Sequence, residues 1–338
     1  MADARRAILT GTYEASRTHE ALGSRKRWER DGGRIDVFDA IDHFGLPLMF
    51  QPMEGLLGAY LVRPSPGVLI NTRRPLAVRR YTAAHELGHY RLNHEPSLDG
   101  EDMIGRTPFA GRLGYDAKEA EADAFAIAFL LPIWLVSGQM KRHGWAASSM
   151  REPSNVYQLA LRSGVSYEAT CYALKNHKVI DADTCSALVE VKPKAIKQSI
   201  VPELQPSSWH LDVWHLDAGD DGLFVEVAPG DVLDVTLLEH SGGGYLWDVG
   251  GITKSDLELV GDQREPMGPQ GTVGGHVTRR LTARAKAPGV GSVRFVERRP
   301  WEVGEAPLAS YQFSYDISEV GRAGLFKAQL DRMMGDGR

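Results

Sequence analysis

The chain has 338 residues, of which 43% are hydrophobic and 25% charged, and its formal net charge is -5 at pH 7. This composition is ordinary for a globular protein, the length allows two domains, and the acidic balance excludes a general attraction to nucleic acid. Two cysteines, Cys171 and Cys185, are too few for a disulfide framework, so we expect free thiols. The N-terminal segment lacks the apolar core of a signal peptide, and we expect a cytoplasmic protein.

The first third of the chain predicts an α+β arrangement. A charged helix is expected to about Arg30 and a second helix over residues 35–44. Short strands separated by Pro and Gly are expected at residues 48–51, 58–62 and 67–70. A further helix is expected over residues 78–93. The connection that follows, residues 96–115, is rich in Gly and Asp, and we expect it to form the rim of a substrate cleft.

The segment His85-Glu86-Leu87-Gly88-His89 is an HExxH motif inside an apolar stretch of the third helix. On a helix of about 100° per residue, His85 and His89 project from one face within reach of a single ion, with Glu86 beside them. A surface helix would not surround these polar side chains with Ala and Leu. The motif therefore predicts one Zn²⁺ per chain, two of its ligands, and Glu86 as the general base.

Catalytic zinc usually takes three protein ligands, so a third must come from elsewhere. The best source is an Ala-rich apolar helix that starts near Lys118 and stops at Pro132. Glu119 and Asp123 are four residues apart and share a face, which predicts Glu119 as the third ligand and Asp123 as the acceptor that orients a ligand histidine. Glu121 faces the other side and is the alternative ligand if the helix phase is shifted.

This constellation indicates hydrolysis of peptide bonds. Zinc lowers the pKa of a coordinated water toward ~7 and polarises the scissile carbonyl, while Glu86 moves the proton from water to the leaving amine. A further donor should stabilise the oxyanion. Tyr81, Tyr90, Tyr115 and His94 are candidates for that donor, and the sequence does not choose among them.

The first half of the chain resembles the ImmA/IrrE family of zinc peptidases. The matching segments are residues 33–48, 58–61, 79–89 and 119–126. The resemblance implies a cytoplasmic peptidase, gluzincin-like in its ligands, that typically cleaves a helix-turn-helix repressor. We accordingly expect residues 1–192 to form an α+β metallopeptidase domain, with a protein substrate that is possibly a DNA-binding repressor.

Residues 154–180 have the pattern of a helix-turn-helix, with a Gly-Val-Ser turn between two amphipathic helices. The second helix has few basic residues, and the whole chain is acidic. We interpret the pair as packing that closes the peptidase domain, and expect no direct nucleic-acid binding and no membrane association. Residues 193–210 are expected to be a linker.

From about Trp209 the helical period gives way to short alternating strands. Six or seven strands in about a hundred residues predict an all-β, immunoglobulin-like sandwich over residues 211–316. The expected strands start near Leu223, Val232, Ile252, His276, Gly291 and Ala309. Residues 317–338 are expected to form a closing helix and a loose tail.

Three loops of this second domain combine glycine with aromatic residues, which suit close contact with a protein partner. The residues expected to contact that partner are Gly244, Tyr245, Trp247, Gly274, Gly275, Arg299, Pro300 and Trp301. In their order and spacing the loops resemble the three wedge loops of the chagasin family, inhibitors of papain-like cysteine proteases. Residues 241–243 depart from that family's usual first loop.

Together these patterns predict a multidomain zinc endopeptidase whose sandwich binds, recruits or regulates a protein. The alternative is an inhibitor of a papain-like cysteine protease, in which the zinc fold is a scaffold or regulator. If the sandwich recruits substrate, its deletion lowers proteolysis; if it covers the zinc cleft, its deletion raises proteolysis.

Overall fold

The fold is described from a computed structural model. The structure describes residues 2–61, 66–95, 98–100, 117–203, 210–267, 275–302 and 304–318. Within these, the chain divides into two compact units. The first covers residues up to 139 and 146–190, and the second covers residues 140–145 and 191–318. The predicted pairing of a helix-rich first domain with an all-β second domain is confirmed.

Helices dominate the N-terminal half of the chain. They are α1 (Ala2–Leu22), α2 (Ser24–Asp31), α3 (Val37–His43), α4 (Leu76–Arg91), α5 (Ala117–Leu130), α6 (Ile133–Arg142), α7 (Pro153–Ser163), α8 (Tyr167–Asn176) and α9 (Ala182–Glu190). The helix predicted to continue to Arg30 is broken at Gly23, whose φ of 60° is left-handed. Asp36 caps α3 by accepting hydrogen bonds from the backbone N–H groups of Phe38 and Asp39.

A small mixed sheet completes the first unit. Its strands are β1 (Leu48–Gln51), β2 (Leu56–Leu61), β3 (Gly67–Asn71) and β4 (Leu98–Gly100), in the order β1-β3-β2-β4. β1 and β3 are parallel, and the other pairs are antiparallel. The predicted strands therefore form, and β4 is an addition inside the expected connection 96–115. The rest of that connection lies outside the described residues.

Helix α4 lies in the core of this unit, in contact with β2, β3 and α5. Ten of its residues, Arg79–Arg80 and Thr82–His89, are buried. Residues 117–142 are apolar and long enough to cross a membrane by composition, but 67% of the most apolar window is buried in the fold. That burial is typical of a core helix in a globular domain.

The helical pair predicted at residues 154–180 forms as α7 and α8. Its apolar side chains Leu159 and Leu174 are inaccessible to solvent, as expected for packing. Cys171 and Cys185 are free, buried thiols, as predicted. Burial raises the pKa of the Cys171 thiol to about 12, so this thiol is chemically quiet at neutral pH.

The second unit contains helices α10 (Pro193–Ile200) and α11 (Gly250–Thr253) and eight strands. The strands are β5 (Val213–Leu216), β6 (Phe224–Val227), β7 (Val232–Glu239), β8 (Leu246–Asp248), β9 (Leu257–Pro266), β10 (Val277–Ala285), β11 (Gly289–Arg298) and β12 (Ala309–Ile317). They form two four-stranded sheets, β5-β7-β10-β9 and β6-β12-β11-β8. The β5–β7 and β6–β12 pairs are parallel, and the remaining pairs are antiparallel.

Two features differ from the sequence predictions for this half, and a third prediction concerns residues that the structure does not describe. The first part of the expected linker 193–210 is helix α10, which starts at Pro193 and buries Ile196. The strand expected from Ile252 begins at Leu257, because α11 occupies the preceding residues. The expected closing helix after residue 318 lies outside the described residues.

Candidate metal centre and interaction loops

The start of α4 is held in place by a buried arginine. Arg79 is 1% exposed, and its guanidinium donates hydrogen bonds to the backbone carbonyls of Arg74 (2.7 Å) and Thr72 (2.6 Å) at the end of β3. Burial lowers the pKa of this guanidinium from its usual value. The helix that carries HExxH is thus fixed to the sheet two turns before His85.

Three donor side chains converge where α4 meets α5. The Nε2 atoms of His85 and His89 are 3.0 Å apart, and oxygens of Glu119 lie 3.3 Å from His85 Nε2 and 3.5 Å from His89 Nε2. Ligands held 2.0–2.2 Å from a tetrahedral zinc stand roughly 3.4 Å apart. The three distances between the donor side chains of this chain, 3.0, 3.3 and 3.5 Å, are close to that value.

The hydrogen bonds behind His85 indicate which of its ring atoms faces the centre. Asp123, almost completely buried, presents Oδ1 at 3.0 Å from His85 Nδ1 and accepts a hydrogen bond from the Tyr81 hydroxyl at 2.7 Å. An ionised carboxylate only accepts, so His85 Nδ1 carries the proton and Nε2 presents a lone pair. Asp123 thus lies where the sequence predicted an orienting acceptor.

The donor set fits a divalent cation. Lone pairs from two imidazoles and a carboxylate that face one another repel unless a cation or extra protons lie between them. Glu119 Oε2 is buried and, among the described residues, has no hydrogen-bond donor. Imidazole and carboxylate oxygen together are typical ligands of zinc.

Glu86 lies beside this cluster and is fully buried. It follows His85 on α4 and faces β2, where a Cβ added to Gly58 would lie 3.4 Å from Glu86 Oε1 and 2.4 Å from Thr82 Cγ2. The absence of a side chain at Gly58 lets the sheet approach α4 closely. The Glu86 carboxylate therefore lies where α4 packs against β2, one residue after His85.

A second chain of polar contacts runs behind His89. Its Nδ1 lies 3.0 Å from Nδ1 of His94, and Nε2 of His94 lies 3.0 Å from Oε2 of Glu121. The sequence left Glu121 open as an alternative ligand, whereas in the structure its carboxylate faces His94, and the oxygens of Glu119 face the two Nε2 atoms. His94 lies past the end of α4, where helical periodicity gives no signal.

The residues predicted as candidates for the oxyanion donor make different contacts. The Tyr81 hydroxyl is bound to Asp123, and His94 is bound to His89. Tyr90 packs edge-on against Tyr60, with ring centroids 6.1 Å apart. Tyr115 lies outside the described residues.

In the second unit, the first and third predicted loops are in direct contact. The Arg299 Nε donates to the carbonyl of Gly243 at 2.8 Å, and its guanidinium lies over the Tyr245 ring, 4.6 Å from the centroid. Gly244 has a φ of 79°, and a Cβ there would lie 2.5 Å from the indole of Trp301. The Trp301 indole therefore packs on the bare backbone of Gly244, while the residue stays 67% exposed.

The other predicted loop residues take different positions. Trp247 is buried, and its indole N–H donates to the Leu238 carbonyl at 2.8 Å, so it supports the first loop from beneath. Pro300 lies in the turn after β11, and Gly275 lies two residues before the start of β10. Gly274 lies outside the described residues.

Sequence analysis missed the charged residues under the first loop. Glu239 is fully buried and accepts hydrogen bonds from the Trp247 backbone N–H (3.0 Å), Arg264 (2.7 Å) and Arg279 (2.9 Å). Burial alone would raise the pKa of Glu239, but these donors together hold it below its usual value. Glu297, also fully buried, accepts from the backbone N–H of His240. Both ends of the loop are thereby tied to buried carboxylates.

Comparison with known families agrees with this division. Residues 41–175 match the model of the IrrE N-terminal-like domain, a peptidase family, and residues 226–317 match the model of the chagasin family of peptidase inhibitors. Both predicted resemblances are confirmed.

Individual relatives cover smaller parts of the chain. "Uncharacterized immunity region protein 2" of Bacillus phage phi105 is 39% identical over 70 residues, which are 21% of this chain and 40% of that protein. The chain thus matches less than half the length of this curated relative. The crystal structure of the cysteine protease inhibitor EhICP2 from Entamoeba histolytica matches 32% of this chain and 98% of its own, with 24% identity and a TM-score of 0.30. The solution structure of Amebosin matches the same shares with 17% identity and a TM-score of 0.27.

Proposed function

We propose that this protein is a zinc-dependent endopeptidase in which His85, His89 and Glu119 hold one zinc ion and Glu86 is the general base. The observation that carries the proposal is the convergence of three donor side chains, His85, His89 and Glu119, whose contacts with one another are 3.0, 3.3 and 3.5 Å, beside a fully buried carboxylate. The match of residues 41–175 to a peptidase family supports the same reaction class.

When bound, zinc polarises a carbonyl oxygen and lowers the pKa of a coordinated water. Asp123 holds the proton on Nδ1 of His85 and so keeps its Nε2 available as a ligand. Glu86 accepts the proton of the attacking water at its carboxylate and returns it to the leaving amine. Closure of the site by β2 and α5 keeps bulk water away from these polar groups.

The substrate class we propose is a regulatory protein of the cytoplasm, such as a helix-turn-helix repressor. The peptidase family of residues 41–175 and the phage immunity-region protein that matches part of the chain support a role in repressor control. The two buried free thiols agree with a reducing compartment.

The test compares the wild-type chain with Glu86→Gln on a library of quenched fluorescent peptides, with zinc content measured on both. Wild type should cleave and Glu86→Gln should retain one zinc with a rate at least ~10²-fold lower, since a general base contributes roughly that much. Glu95→Gln, an exposed carboxylate beyond α4, is the matched control and should cleave normally. Full cleavage by zinc-loaded Glu86→Gln would refute the assignment of the base.

A second candidate function, inhibition of papain-like cysteine proteases, is favoured by the loop geometry. Trp301 is exposed, Arg299 ties its loop to the half-buried Tyr245, and buried carboxylates fix the first loop from beneath. Rigid aromatic loops lose little conformational entropy on binding, which favours tight complexes. The same surface is suited to recruitment of a protein substrate.

Papain is the probe that separates these uses of the sandwich. If the sandwich inhibits, the full chain should slow papain, and Trp301→Ala should weaken inhibition at least ~30-fold, as expected for a hot-spot residue worth about 2 kcal/mol. Val290→Ala is the control: it is also exposed, but lies roughly 25 Å away at the other end of β11. No inhibition by micromolar full chain would leave recruitment or autoregulation as the function of the loops.

A further inference from the structure

The C-terminal end of α4 is built to return the chain over the metal-binding face. Asn93 has a φ of 55°, its N–H donates to the Tyr90 carbonyl at 3.1 Å, and the His94 N–H donates to the His89 carbonyl at 2.9 Å. This pair of bonds defines a Schellman motif, which needs a left-handed residue at the position of Asn93. Asparagine tolerates that conformation better than other side chains apart from glycine. The motif brings the His94 ring beside the ring of His89.

For a neutral His94 and an ionised Glu121, donor and acceptor counts place the protons along these contacts. Ionised Glu121 only accepts, so His94 Nε2, 3.0 Å away, carries a proton. A neutral His94 then has a lone pair on Nδ1, which accepts from Nδ1–H of His89 at 3.0 Å. His89 is thereby left with its Nε2 lone pair directed at His85 and Glu119.

We infer that His94 and Glu121 are positioning residues that hold His89 in the tautomer and orientation needed to bind the metal. They do for His89 what Asp123 does for His85. The inference rests on the proposed function only in taking His85, His89 and Glu119 as the metal ligands. It also gives Glu121 a function other than that of a ligand or of a solvated helix terminus: its carboxylate fixes the proton on His94.

Burial supports this assignment. The side chain of His94 is 6% exposed and that of Glu121 is 24% exposed, so water competes poorly for their hydrogen bonds. Outer partners of metal-binding histidines typically change metal affinity by 10- to 100-fold when they are removed. Glu121 acts through a neutral ring, so its removal should have the smaller effect and the loss of the His94 ring nitrogens the larger one.

Two measurements on the full chain test the inference. The first is the tautomer of His89 in the zinc-free protein, from ¹H–¹⁵N correlations of the imidazole nitrogens. Wild type should show a proton on Nδ1 of His89, and His94→Phe, which keeps an aromatic ring but offers no acceptor, should lose that preference. The second is zinc affinity by competition with a chromogenic chelator, where His94→Phe should bind 10- to 100-fold more weakly and Glu121→Gln up to 10-fold more weakly.

Two variants of Asn93 test the backbone turn, and a variant of Glu95 controls for the loss of a nearby charge. Asn93→Gly keeps the left-handed turn and should bind zinc like wild type, whereas Asn93→Ala disfavours that turn and should bind more weakly. Glu95→Gln removes a nearby exposed charge and should have no effect. An unchanged His89 tautomer in His94→Phe overturns the inference, whatever the affinities. If wild type itself binds no zinc, the proposed function fails, while the tautomer measurement still decides this inference.

Discussion

The most demanding structural prediction concerns Gly11, at the crossing of α1 and α5. A Cβ built on Gly11 would lie 2.1 Å from the backbone carbonyl oxygen of Glu121, 2.8 Å from the backbone N of Phe125 and 2.9 Å from Cβ of Ala124. All three are parts of α5 that cannot turn away as a flexible side chain could. Gly11→Ala must therefore push the two helices apart.

The size of the effect follows from these distances. Restoring an ordinary carbon–oxygen contact of about 3.3 Å requires a shift of about 1 Å. Overpacking of this kind costs about 1–3 kcal/mol, against a gain of roughly 1 kcal/mol from replacing glycine by alanine in a helix. Because the clash is with backbone, we expect the upper end of that range and a net loss of about 2 kcal/mol. Helix propensity alone predicts the opposite sign.

The same shift of the helices should also disturb the candidate metal site. Glu119 is two residues from Glu121 on α5, and metal–ligand distances tolerate about 0.2 Å. We expect Gly11→Ala to bind zinc at least ~10-fold more weakly, measured by chelator competition, and to unfold at lower urea concentration. Ser16→Ala, on the exposed side of α1, is the control and should match wild type. A Gly11→Ala protein that is as stable as wild type and binds zinc equally well would refute this account of the helix crossing.

Two further predictions concern buried groups near the same helices. Asp123→Asn should weaken zinc binding by 10- to 100-fold, because a neutral amide no longer polarises His85; unchanged affinity in the chelator assay would show that the contact does not tune the ligand. Burial lowers the pKa of His19 from its usual 6.5 to about 4, so the unfolded chain binds a proton at this residue more readily than the folded chain. The contribution of His19 to stability should thus be fully present above about pH 6.5 and fall by up to about 3 kcal/mol as the pH drops toward 4. His19→Gln should flatten that part of a urea-denaturation pH profile, and an equal slope in both proteins would contradict the prediction.

Periodicity was sufficient to find the side chains that share a helix face. His85 and His89 on α4 and Glu119 and Asp123 on α5 are each four residues apart, and the structure brings the four together. The fold class was predictable for the same reason, since long amphipathic helices and alternating strands have strong sequence signals.

The residues that periodicity missed depend on backbone geometry between elements. His94 reaches His89 only because Asn93 adopts a left-handed conformation after the helix ends, and no helical pattern extends there. Strands β4 and β8 have three residues each, too few for alternation to be visible. Glu239 is fully buried in a strand, although sequence analysis expects buried strand positions to be apolar. A buried carboxylate can be predicted only if its partner, here Arg279, is known in advance.

The two histidines of the candidate centre are held by different hydrogen-bond partners. This difference ranks the losses of zinc affinity expected when those partners are changed. His85 donates directly to a carboxylate that is almost completely buried, whereas His89 donates to a neutral ring whose own carboxylate partner is partly exposed. Hydrogen bonds to an ionised acceptor are roughly twice as strong as neutral ones. His85 should therefore be the more basic ligand, and loss of the Asp123 charge should weaken zinc binding more than loss of the Glu121 charge. Equal losses of zinc affinity in the two variants would contradict this ranking. They would mean that orienting the rings, which both acids do, matters more for metal affinity than polarising them, which Asp123 does directly.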